Sequence, residues 1–76
     1  MITSSQIRAA RAILNWSARQ LAERSGVGVA TIRRMELAEA VPSSNAQTLD
    51  AVRVTIESAG VEFIGSPEDR PGVRLK

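Results

Sequence analysis

The chain has 76 residues, 43% of them hydrophobic but with one Trp, one Phe and no Tyr, and it carries a formal charge of +2. A chain this short buries about 60% of its unfolded surface, so an aliphatic core and marginal stability are expected unless it oligomerises. Cys and His are both absent, which excludes disulfides, thiolate metal sites, a thiol nucleophile and the commonest general base, and leaves no cofactor to expect.

The first predicted element is a helix opened by the capping box of Thr3 and Gln6 and running to about Leu14, with Ile7, Ala10 and Leu14 as its buried stripe and Arg8 and Arg11 off that stripe. Asn15 tolerates left-handed geometry and ends it. Trp16 reads as a core residue that staples the next helix, which Ser17 and Gln20 open as a second capping box and Gly26 stops. Val27 plugs the turn. A further helix starts near Gly28 or Val29, with Ile32 and Met35 on its buried side and Ala30, Thr31, Arg33 and Arg34 on other faces. Glu36 to Glu39 are expected to add a turn before Pro42 ends the helix.

Ser44 with Gln47 forms a third capping box, predicting a helix to about Ala59 with Leu49, Val52 and Ile56 inward and Gly60 as its stop. The period then changes. Val61 to Ile64 and Val73 to Leu75 are short β-type runs around a Gly- and Pro-rich segment, which predicts an antiparallel hairpin anchored by Phe63. Residues 1–60 are thus read as the helical domain and 61–76 as a hairpin belonging to the same domain. Ile64 faces away from Val61 and Phe63, and with Val73 and Leu75 it is expected to form a dimer interface, since strand pairing would also hide exposed amides.

Charge is uneven along the chain. Six Arg against Glu23 give +5 up to Arg34, and four basic against seven acidic residues give −3 beyond it. The positive half suits attraction to phosphates. With so few aromatics, stacking on bases is not the expected mode. Glu23 and Glu36 are read as surface ion-pair partners of nearby Arg rather than as paired catalytic carboxylates, and no enzyme activity is expected. No apolar run approaches the ~18 residues of a bilayer span and no signal-peptide pattern opens the chain, so a cytoplasmic protein without a membrane partner is expected.

Residues 17–36, SARQLAERSGVGVATIRRME, resemble the helix-turn-helix of the lambda-repressor and Cro-like family, also called the xenobiotic-response-element type. Leu21, Ala22, Gly26, Val27, Ile32 and Met35 fall where that motif places its apolar, small and turn residues, and the likeness extends from Ile7 to Phe63. Two helices crossing at a tight turn leave room only for a small side chain such as Ala22. The resemblance implies a mainly α fold, a four-helix lambda-repressor-like DNA-binding domain with a short C-terminal β-hairpin. It implies a small transcriptional regulator of the repressor type, binding double-stranded DNA sequence-specifically as a homodimer with its recognition helix in the major groove.

By motif position Val29, Ala30 and Arg34 are the implied base contacts, Arg34 reading guanine and the two apolar residues able to touch only a thymine methyl. Ser17, Arg19, Gln20, Thr31 and Arg33 are the implied phosphate contacts, with Arg11 a further one. Ala18, Val29 and Ala30 depart from the polar residues common in the family at those places, Gly28 from the commoner Ser or Thr cap, and Ser25 from a commonly apolar residue. That loss of polar groups sustains an alternative, a protein-interaction module such as an antitoxin or antirepressor, whose partner would be a protein. No small-molecule sensor domain is expected.

Overall fold

The fold is described from a computed structural model, for residues 2–39, 41–42 and 45–76. It contains α1 (Ser4–Leu14), α2 (Ala18–Ser25), α3 (Val29–Leu37), α4 (Ala46–Ser58), β1 (Val61–Ser66) and β2 (Asp69–Leu75). It is the mainly helical fold with a terminal hairpin that the sequence predicts.

Local chemistry explains most boundaries. Thr3 and Ser17 side chains each accept a hydrogen bond from the amide three residues on, and the Gln6 and Gln20 side chains accept one from the cap amide, so α1 and α2 both start at complete capping boxes. Asn15 ends α1 in the left-handed region at φ 58°, and Gly26 ends α2 at φ 75°. Two boundaries differ from expectation. The cap of α4 is Asn45, whose side chain accepts from the Thr48 amide at 2.7 Å; Ser44, the expected cap, lies outside the described residues. α3 stops at Leu37 instead of continuing to Glu39, because Ala38 is extended (φ −68°, ψ 153°) and its carbonyl accepts from Ser4 Oγ at 2.7 Å.

The core is built from Ile2, Ile7, Ala10, Leu21, Ala22, Ile32, Met35, Val52, Ile56 and Val61, so every element except β2 supplies a fully buried side chain. Leu14, Trp16, Val27, Val29, Leu49, Phe63 and Val73 pack around it. Val73, expected at a dimer contact, is half-buried against the core, while Leu75 is 66% exposed.

β1 and β2 pair antiparallel, Val61 opposite Leu75 and Phe63 opposite Val73, with an irregularity between Ile64 and Ser66. Gly65 makes it feasible: at φ 76° a Cβ there would lie 2.2 Å from the Arg70 carbonyl oxygen. A two-stranded hairpin is marginal alone in water, and Gln6 fastens this one. Its buried carboxamide accepts from the Thr3 amide and donates to the carbonyls of Ile64 at 3.0 Å and Gly72 at 2.9 Å.

Candidate nucleic-acid interface

The geometry of the α2–α3 turn follows from three residues. Gly26 supplies the left-handed step, Val27 packs on the core, and Ser25 accepts a hydrogen bond from the Val27 amide while donating to the Ala22 carbonyl. Ser25 therefore replaces apolar plugging by hydrogen bonding within the turn. Ala22, 8% exposed, occupies the crossing of the two helices.

α3 divides cleanly by face. Ile32, Met35 and Glu36 are buried, Val29 and Thr31 are half-buried, and Ala30, Arg33, Arg34 and Leu37 are exposed. Of the three base-contact candidates, the structure thus offers Ala30 and Arg34 outward and sets Val29 partly into the core. Gly28 caps α3 with no side-chain hydrogen bond.

The phosphate candidates are placed unequally. Ser17, Arg19 and Gln20 are exposed at the start of α2. The Ser17 amide is already taken by Gln20 Oε1 at 2.8 Å, so the free donors at this tip are the next amides, those of Ala18 and Arg19. Arg33 is exposed and Thr31 half-buried. Arg11 is a correction. Its Nε and Nη2 each bond a Glu36 carboxylate oxygen at 2.7 Å, and its Nη1 donates to the Trp16 carbonyl at 3.0 Å. The hydrogen bond to Glu36 raises the Arg11 pKa above its ordinary value, with the attraction of that carboxylate adding to it against partial burial. This guanidinium is consumed inside the fold.

Glu36 is corrected with it. The carboxylate is buried, 8% exposed, and is a bracket between helices instead of a surface ion-pair partner. Sequence reasoning also missed the row that accompanies it. Ser4, Arg8 and Arg11 lie on one side of α1 at helical spacing and grip the end of α3: Ser4 on the Ala38 carbonyl, Arg8 on the Glu36 carbonyl, Arg11 on the Glu36 side chain. Positive charge at a helix C-terminus also opposes its dipole favourably. The outer face of α3 is therefore braced from its far end.

Electrostatically, the outward cations of the motif are bare. Among the described residues Arg19, Arg33 and Arg34 form no ion pair, whereas Arg53, Arg70 and Arg74 all do. Arg24 lies over the Trp16 ring, 4.7 Å from its centroid, in an open groove bounded by Val54, Thr55 and Ser58 of α4. Trp16 is thus half-buried under its own cation. No group of His, Cys, Asp and Glu among the described residues could hold a metal ion, and no helix is long and apolar enough to cross a membrane.

Two helices crossed at a glycine turn, with unpaired arginines on the outer face of the second, have the geometry of a helix-turn-helix. The family model described as Helix-turn-helix matches residues 7–46. That is over half of the chain, and the chain belongs to the Cro/C1-type helix-turn-helix family, a family of DNA-binding transcription regulators and not of enzymes. No curated protein matches the chain.

Proposed function

We propose that the protein is a sequence-specific regulator of the repressor type that inserts α3 into the major groove of double-stranded DNA. The observation that carries this reading is the outward face of α3, where Ala30, Arg33 and Arg34 are exposed and, among the described residues, no carboxylate neutralises the two arginines. Arg34 is the base-reading arginine, and a guanidinium can meet guanine O6 and N7 together. Arg19, Arg33 and the free amides of Ala18 and Arg19 meet phosphates, which fixes register without reading sequence. Thr31 lies at the same phosphate edge.

One module of this size covers only roughly 600 to 1,000 Å² on DNA, which favours two copies on one site. The second copy is expected at the hairpin, where β2 offers the exposed Leu75 and an open strand edge beside Ile64. Two motifs on one side of a duplex then stand about 34 Å apart and read an inverted repeat. Selection of sites from random duplex DNA, followed by titration at several salt concentrations, tests both parts. Two phosphate-contacting arginines per protomer, Arg19 and Arg33, give a dimer a slope of log K against log[salt] of about −4. Absence of salt-dependent duplex binding would sink the reading. A sedimenting monomer that binds a single half-site tightly would remove the dimer alone.

A further inference from the structure

Leu37 is 85% exposed, about twice the exposure of Ile13 or Val54, although it ends a helix whose Ile32 and Met35 are buried. Its place on α3 is informative. Ala30, Arg33, Arg34 and Leu37 follow one another at the i, i+3, i+4, i+7 spacing of a single helix face, and all four are exposed. Leu37 is therefore the last member of the row that faces DNA in the reading above, and this inference rests on that reading. Its position is also fixed, because the carbonyls on either side of it, of Glu36 and Ala38, are held by Arg8 and Ser4 of α1.

We infer that Leu37 is a specificity-determining residue that reads the C5-methyl group of a thymine in the major groove. A leucine gains nothing beside a phosphate, and the apolar feature that the major groove displays is the thymine methyl. The helical rise places Leu37 roughly 10 Å along the axis from Ala30, which is about three base-pair steps at 3.4 Å each. The face then reads methyl, guanine, methyl: Ala30 at one end, Arg34 between, Leu37 at the other. Docking of a protein on this residue is less favoured. Such sites are contiguous apolar patches, whereas Leu37 is flanked on its own face by two unpaired arginines, and the other exposed large apolar residues belong to α1, α4 and β2.

The test couples a change in the protein to a change in the DNA. Sites selected by the wild-type protein are resynthesised with deoxyuridine in place of each thymidine in turn, which removes one methyl and nothing else. Wild type and Leu37→Ala are titrated against each duplex, with a thermal melt of each protein alone. At one thymine, about three steps from the position sensitive to Ala30→Gly, the wild type should lose about fourfold in affinity, the worth of one buried methyl. Leu37→Ala should bind the thymine site more weakly and show no further loss with uracil there, with an unchanged melt. Equal sensitivity to uracil in both proteins, or no thymine preference at that step, overturns the assignment while duplex binding stands. Unaltered DNA affinity in Leu37→Ala, with loss of a co-purifying protein chain, overturns it in favour of protein docking. Failure of the wild type to bind any duplex removes the functional reading itself, and this inference with it.

Discussion

Arg53 and Arg33 sit on neighbouring helices of the sequence and meet opposite fates. In α4, Arg53 has carboxylates three residues before and four after it, and it pairs with both, Asp50 and Glu57, at 2.5 Å. In α3, Arg33 has a carboxylate three residues after it, Glu36, and does not pair with it, because Arg11 draws that side chain into the interior. One arginine is neutralised by its own helix. The other stays bare because a third residue has taken its partner away. The buried pair of Arg11 and Glu36 therefore does two things at once, bracing α3 against α1 and leaving the positive charge of the outer face uncompensated.

The strongest way to break this contrast is Arg11→Ala. It strands a carboxylate that is 8% exposed and should cost about 2 to 4 kcal/mol, somewhat below a fully buried pair because the Arg11 side chain keeps 23% exposure. For a domain this small that is a fall of roughly 10 to 30 °C in Tm, readable by circular dichroism. At a temperature where the variant is still folded, duplex affinity should fall as well, since Glu36 is then free to compete for Arg33. A Tm within 2 °C of wild type would show that the bracket is ornamental.

A smaller effect separates the arginines of the face itself. Arg34→Ala should cost about 1 to 3 kcal/mol at the preferred site and relax choice at one base pair, whereas Arg19→Ala should weaken all duplexes alike and reduce the salt slope. Competition titrations with single-base-pair variants of the selected site decide it. Equal losses on every duplex for Arg34→Ala would mean that it contacts phosphate. The smallest effect is the control on the other side of the comparison. Arg53→Ala removes two solvent-accessible ion pairs within the far helix and should leave both Tm and DNA affinity within error of wild type.

What was legible in the chain was local. Caps close within three residues, so Thr3–Gln6 and Ser17–Gln20 announced α1 and α2, and Gly26 announced the turn. The division of α3 into a buried and an outward face followed from Ile32 and Met35. Arg11 was misread because its partner is 25 residues away and nothing near it in sequence distinguishes a bracing arginine from an exposed one. A signal did exist: Ser4, Arg8 and Arg11 form a polar row at helical spacing beside the apolar stripe of α1. The packing of Val73 on the core was not legible for a similar reason, since an alternating strand does not state which helix its face will meet. The outward setting of Leu37 was not legible either, because the helix was expected to run on to Glu39 and nothing in that short stretch states which face Leu37 takes.

The carboxamide of Gln6 has a consequence for the order in which the molecule is put together. Its bonds to Ile64 and Gly72 join positions 58 and 66 residues apart, while the grip of α1 on α3 spans 25 to 34 and the caps span three. Closing a longer loop costs more chain entropy before any contact is returned, so near-neighbour contacts assemble first and the strand pair is fastened to them last. The same ranking operates in reverse. Among the described residues the hairpin has no third strand to hold it, and the seam that Gln6 closes is expected to open first when the fold is stressed, with the two crossed helices still intact behind it.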